Sequence, residues 1–319
     1  MRILFAGTGD IAVPSLRYLV SEHNVVGILT QPNRPVGRHQ KIKEPAVKEE
    51  ISRLSPELPV LQPEALRLPE VFRWVADLRA EVIVTMAYGR ILPPEILAAP
   101  KLACLNLHAS LLPRHRGASP IQAAIASGDR ESGITVMYMA EGLDSGDILL
   151  AKRLQLRRRE TAGSLSIRLA ELAPLALADA LSLLSSGTAP RVPQKHHLAT
   201  KCEKIRCQDS ILDWERPCME LERKIRSLQP RPGSVATLPL SSRETISIKI
   251  HSAIIASHSS GVPGSILRID SRGILVACGF GALLLGKIQP EGGGIMHSAA
   301  FSRGHDLLIQ SPDDPVFDQ

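Results

Sequence analysis

Aromatic side chains make up only 3% of this 319-residue chain, with two Trp, three Tyr and five Phe. A protein that holds single-stranded nucleic acid by stacking bases on rows of rings needs more of them, so that class is disfavoured. Cysteine is sparse as well: five residues, at positions 104, 202, 207, 218 and 278, with no CxxC pair and no Cys/His spacing of a zinc site. Neither a disulfide framework nor a metal site is expected, and a reducing compartment fits best. No apolar run approaches the ~18 residues of a membrane-spanning helix. The chain starts directly on a strand-like run, MRILFAG, with no charged leader and apolar signal region before it, so a soluble cytoplasmic protein without a membrane partner is expected. Internal repeats and low-complexity tracts are missing too.

One further absence concerns cofactors. Gly7-Thr8-Gly9-Asp10-Ile11-Ala12 fits the G-x-G-x-x-A turn after a first strand, a pattern shared with dinucleotide sites. Such a site needs an acid near the end of the second strand to hold the ribose. There the sequence reads Leu29-Thr30-Gln31-Pro32. A tight strand-to-helix turn is therefore the better reading, and a nicotinamide oxidoreductase is disfavoured.

What is present is an ordinary globular composition, 44% hydrophobic and 22% charged, on a chain long enough for two domains. The formal charge of +6 is unevenly placed: Gln208 to Gln319 carries a net −1, leaving +7 on the remainder. Three basic concentrations stand out there: Arg34 to Lys48, Lys152 to Arg159, and Arg191 to Arg206. A polyanionic partner is compatible with this, although a solvated face is the commoner meaning of any one such run.

Strand and helix signals alternate through the first part. Arg2–Ala6, Asn24–Thr30, Val82–Ala87, Ala103–Ala109 and Ile134–Met139 read as strands. Helices are expected after Asp10, over Glu64–Ala80 with an interruption at Pro69, and over Ser164–Ser186 broken by Pro174. The spacing predicts an α/β domain with a doubly wound sheet over residues 1–187. Residues 188–207 read as a linker. From 208 to 319 one amphipathic helix, Glu215–Leu228, is followed by short β-like runs with Gly and Ser turns, the pattern of a small barrel of OB type.

The chemistry concentrates in Asn106-Leu107-His108. On a strand, residues i and i+2 share a face, so Asn106 and His108 point together while Leu105 and Leu107 point into a core. An amide beside an imidazole at a strand's end is placed where open α/β sheets hold ligands. Asn106 offers donors to a developing oxyanion, and Asp144 in GLDSGD can hold or polarise the imidazole. Either His108 or Asp144 can take a proton from an attacking amine. The alternative for GLDSGD is a plain turn capped by Asp144 or Asp147.

These motifs, together with Ser110-Leu-Leu-Pro-x-x-Arg116-Gly, AYGRILP (Ala87–Pro93), the polar stretch TQPNRPVGRHQKIKEPAVK and KIQPEGGGIM, resemble the folate-dependent formyltransferases over almost the whole length. The resemblance implies a Rossmann-like catalytic domain, its mostly parallel sheet covered by helices on both faces, plus a smaller C-terminal β-barrel that contacts tRNA. It implies Asn106, His108 and Asp144 as catalytic trio and 10-formyltetrahydrofolate as a consumed cosubstrate, with no metal. The folate pocket would be shaped by Tyr88, Gly89, Ile91 and Leu92 with Ser110, Leu111, Leu112 and Pro113. A basic loop, Arg34, Arg38, Lys41 and Lys43, would meet the acceptor stem of methionyl-initiator tRNA, and a monomer is expected. The alternative acceptor is a small amine such as a UDP-amino-sugar. His115 stands where the family commonly has tryptophan, and the segment Gln229-Pro-Arg-Pro-Gly lacks the aromatic often found between its prolines.

Overall fold

The computed structural model describes residues 1–36, 40–242, 244–256 and 261–309. Two compact units are formed, the first by Met1–Pro120, Arg130–Leu156 and Leu165–Lys204. Its elements run β1 (Arg2–Gly7), α1 (Val13–Glu22), β2 (Asn24–Leu29), β3 (Arg34–Val36), β4 (Lys41–Lys43), α2 (Ala46–Leu54), β5 (Val60–Leu61), α3 (Pro69–Asp77), β6 (Val82–Met86), α4 (Pro94–Leu97), β7 (Ala103–His108) and β8 (Arg116–Gly117). The helix α5 (Pro120–Ala126) falls in the second unit but for its first residue, and the first resumes with β9 (Glu131–Tyr138), β10 (Ile148–Gln155), most of α6 (Ala162–Ser185) and β11 (Lys201–Cys202).

Seven strands form one sheet in the order β10-β9-β7-β6-β1-β2-β5. Strands β5, β2, β1, β6 and β7 are parallel, while β9 runs antiparallel to both β7 and β10. Central parallel strands are covered on both faces and read as unbroken apolar runs. Accordingly all of Val82–Met86 is buried, and β10 at the edge alternates. Leu4, Ala6 and Ile83 share one core cluster with Val71 and Val75 of α3 and Ile96 of α4. Ile3 and Phe5 are buried on the other face, as the two-residue period requires. Strand order reverses between β1 and β6, so the carboxyl ends of β1, β6 and β7 border the crevice where such sheets bind ligands.

Two expected interruptions are absent, for opposite reasons. The third helix begins at Pro69 instead of being broken there, with Leu68 extended before it (φ −116°, ψ 136°); a proline at the first helical position lacks only an amide that has no helical partner. By contrast, α6 continues straight through Pro174. Interior proline costs about 3 kcal/mol, but this helix buries Leu165, Leu169, Ala173, Ala176, Leu177, Ala180 and Leu181, and that burial outweighs the lost bond.

The second unit comprises Ile121–Asp129, Arg157–Ser164 and the chain from Ile205. It contains α7 (Cys218–Ser227), β12 (Ser234–Pro239), β13 (Thr245–Ile250), β14 (Ala253–Ala256), β15 (Ile266–Asp270), β16 (Gly273–Ala277), β17 (Ala282–Leu285), β18 (Lys287–Pro290), β19 (Met296–His297) and α8 (Ser298–Ser302). Two four-stranded sheets, β12-β13-β18-β19 and β14-β17-β16-β15, have antiparallel neighbours throughout. Leu238, Ile248 and Ile288 of one and Ile274, Val276 and Leu283 of the other join Leu221 and Ile225 of α7 in a single core.

All five cysteines are free. Burial pushes the thiols of Cys104 and Cys278 up to about 12. A raised thiol pKa means the neutral form persists at ordinary pH, and only the thiolate is nucleophilic. At pH 8, iodoacetamide is therefore expected to alkylate exposed Cys207 first, with Cys104 and Cys278 modified only after denaturant is added. Peptide mass spectrometry over a time course checks the order; labelling of Cys104 as fast as Cys207 would contradict it.

Candidate active site

Strand β7 lies between β6 and β9, and its register places Asn106 beside Thr85 and His108 beside Thr135. Asn106 is partly exposed, His108 is buried, and Leu105 and Leu107 are buried among the apolar residues. The two polar side chains thus sit on a backbone pinned from both sides. The Thr85 hydroxyl lies 2.7 Å from Asn106 Oδ1.

His108 Nε2 lies 2.9 Å from the carbonyl oxygen of His115. A carbonyl only accepts, so Nε2 carries the proton of the neutral ring and Nδ1 is its basic nitrogen. Nδ1 faces Asp144, 3.6 Å from Oδ2. That is too long for a direct hydrogen bond, yet close enough for the carboxylate to stabilise the ring once Nδ1 is protonated. Oδ2 also accepts the Gly117 amide at 2.7 Å. Both His115 (φ 58°) and Asp144 (φ 48°) have left-handed backbones, a conformation that aspartate tolerates better than most residues.

Much of the support for the trio comes from residues 191–202, which the sequence reads as linker. This segment is hydrogen-bonded into the first unit as a strap. Buried Gln194 donates to the carbonyls of Asp144 (2.9 Å) and Gly146 (2.7 Å) and accepts from the Arg116 guanidinium at 2.6 Å. Thr200 Oγ1 accepts the His115 amide, Thr200 O accepts the Arg116 amide, and Cys202 O accepts the Ala118 amide. Val192 bridges Ile148, and the Arg191 guanidinium lies 3.7 Å from the Tyr138 ring centroid. The loop bearing the His115 carbonyl and the Gly117 amide is thereby clamped between GLDSGD and the strap.

The Ser110–Pro113 stretch is held by Thr135, whose hydroxyl donates to Ser110 O (2.7 Å) and accepts the Leu112 amide (3.1 Å). Ser110 Oγ donates to Arg114 O. Of the other expected folate-site residues, Tyr88 and Leu92 bury their side chains in the core cluster. The Tyr88 carbonyl accepts from Thr8 and Gln31, Gly89 is left-handed (φ 82°), and Ile91 is exposed. Arg34, Lys41 and Lys43 are all exposed on the β3–β4 hairpin, with Arg34 directly opposite Lys43. Like charges facing each other across a strand pair repel, and an anionic ligand would relieve that. Arg38 lies outside the described residues.

Sequence does not single out Thr85, Gln194, Thr200, the His115 carbonyl or the Gly117 amide, and Thr135, in the motif Gly133-x-Thr135, carries no role there. For Thr85 and Thr135 a signal exists: each is a hydroxyl inside an otherwise apolar run, VIVTM and GITVM. Nothing about Gln194 in RVPQK marks it. No group of three or more His, Cys, Asp or Glu able to hold a metal occurs among the described residues, and none of their helices is long and apolar enough to cross a membrane.

Comparison with known proteins matches residues 1–181 to the formyl transferase family model and residues 204–306 to the formyl transferase C-terminal domain. The chain is 42% identical over 309 residues to a methionyl-tRNA formyltransferase of Akkermansia muciniphila, covering 97% of this chain and 98% of that protein. A protein of the same name from Pseudomonas paraeruginosa is 45% identical over 92% of each chain. Among solved structures, the sugar 3N-formyl transferase WlaRD, solved in the presence of dTDP and 5-N-formyl-THF, superposes with a TM-score of 0.64 at 15% identity, over 89% of this chain and 97% of that one. HypX from Aquifex aeolicus in complex with tetrahydrofolic acid gives 0.59 at 19% identity; the chain is covered to 99% but spans only 50% of HypX. At those identities the structural likeness shows the fold.

Proposed function

The chain belongs to the formyl transferase family through both of its domains, and from that premise we propose that it moves the formyl group of 10-formyltetrahydrofolate onto the α-amine of methionyl-initiator tRNA, as a cytoplasmic monomer. The observation that carries this acceptor is end-to-end likeness, at 42% identity over 97% of the chain, to a relative named for it. The arrangement of Asn106, His108 and Asp144 supports this reading. The amine nitrogen attacks the formyl carbon, and the carbonyl oxygen becomes an oxyanion that the Asn106 amide group stabilises by hydrogen bonding. The attacking nitrogen loses a proton to the His108–Asp144 pair, at or beside Nδ1. The tetrahedral intermediate then collapses, the bond from carbon to folate N10 breaks, and N10 takes up the proton. One C–N bond forms, one breaks, and the pair returns to its starting state.

In this reading Ser110–Pro113 and the backbone of residues 88–92 shape the folate pocket, and the hairpin basic residues meet the tRNA backbone. The test offers the purified protein 10-formyltetrahydrofolate with either methionine-charged initiator tRNA or a UDP-amino-sugar. Formylated methionine on the tRNA and an unmodified sugar are expected. Replacing Arg34, Arg38, Lys41 and Lys43 together by Ala should act chiefly on KM for tRNA, raising it about tenfold or more at physiological salt and flattening its salt dependence by roughly one slope unit for each phosphate left without its cation. Efficient formylation of the sugar with untouched tRNA would transfer the assignment to the small-amine acceptor.

A further inference from the structure

A carboxamide has an oxygen and an NH2 group of nearly the same size, and turning it over exchanges them. Shape alone therefore does not decide which end of Asn106 faces a substrate. Only one end can help an oxyanion: the NH2 group donates to it, whereas the oxygen repels it. The choice has to be made by a hydrogen-bond partner, and that partner lies on the neighbouring strand.

Thr85 is 3% exposed and is the one polar side chain in the β6 run Val82–Met86. A hydroxyl buried in such surroundings is costly unless its proton finds an acceptor. Three are within reach: Asn106 Oδ1 at 2.7 Å, Leu105 O at 3.1 Å and the Met139 sulfur at 3.4 Å. A hydroxyl has one proton to give, and in the structure the nearest acceptor facing it is the Asn106 oxygen. Held by its oxygen from the β6 side, the Asn106 carboxamide turns its NH2 away from Thr85.

We propose that Thr85 is a positioning residue which, through its hydroxyl on Asn106 Oδ1, fixes the carboxamide with its NH2 toward the reacting formyl oxygen. The inference rests on Asn106 being the oxyanion donor, so its test measures both residues. Thr85→Val keeps the shape and removes the donor; Thr85→Ser keeps the donor. In the tRNA formylation assay, Thr85→Val should lower kcat about three- to tenfold while KM for folate and for tRNA stays unchanged, as expected for losing one hydrogen bond's bias on orientation. Thr85→Ser should restore kcat. In an Asn106→Ala background, Thr85→Val should have no further effect, because nothing is left to orient; a merely structural role would instead add its loss there. Wild-type kcat in Thr85→Val, a loss that Ser does not restore, or additive losses in the double variant would each overturn the inference while leaving the role of Asn106 standing. A silent Asn106→Ala would overturn both, and would be recognised by that single variant.

Discussion

Replacing Asn106 by Ala is expected to lower kcat for formyl transfer by about 10²–10³-fold, the usual cost of removing one preorganised oxyanion donor. The loss should be confined to chemistry. Leu105 and Leu107, buried on the opposite face, anchor β7 whichever side chain occupies position 106. The Thr85 hydroxyl does not become an orphan, because Leu105 O at 3.1 Å is ready to accept its proton. The melting temperature should therefore change little while kcat collapses, and KM for both substrates should hold. Asn106→Asp should be at least as inactive, since a carboxylate repels the oxyanion that the amide stabilises. Steady-state kinetics beside a thermal melt distinguish these outcomes; a kcat within threefold of wild type for Asn106→Ala would falsify the assignment.

The second large effect is expected at a glycine that bears no side chain to react. Gly117 has φ 122°, a backbone region that other residues rarely adopt. A Cβ there would stand 2.1 Å from the carbonyl oxygen of Cys202. Since backbone blocks the way, Gly117→Ala must push β8 and β11 apart, releasing the bonds from Arg116 to Thr200 and from Ala118 to Cys202. The Gly117 amide would leave Asp144, and the His115 carbonyl would leave His108. Displacing catalytic groups by about 1 Å can cost on the order of 10²-fold in rate, and a loss of that size in kcat is expected. Gly187→Ala is the control: it also carries positive φ, 69°, but has nothing within 4 Å of the added carbon. It should lose some stability and keep kcat. Equal activity of both variants would remove the clamp from the mechanism.

The legibility of the site in the sequence follows the type of contact. Asn106 and His108 are readable because a strand's two-residue period projects them together, and Asp144 because a polar Gly-rich turn carries its own signature. The strap is not readable. Its bonds run mainly from side chains and amides to backbone carbonyls, which every residue possesses, so Thr188 to Arg206 with its prolines and lysines looks like a linker. At the level of the fold, alternation foretells the doubly wound sheet, but β10 goes unmarked although Leu149 is buried and Ala151, Arg153 and Gln155 are exposed at the sheet's edge. Pro174 misleads in the other direction, because a helix that buries one leucine or alanine after another tolerates a lost amide.

The strap also sets when the proposed catalytic centre can exist. Asn106, His108 and Asp144 are all made before α6, yet the residues that hold the His115–Ala118 loop lie between Gln194 and Cys202. A nascent chain that has emerged only as far as Gly187 carries the proposed catalytic trio without the carbonyl and amide placements that hold it. In the proposed reading, competence thus arrives late in synthesis, once the strap has bonded to the loop.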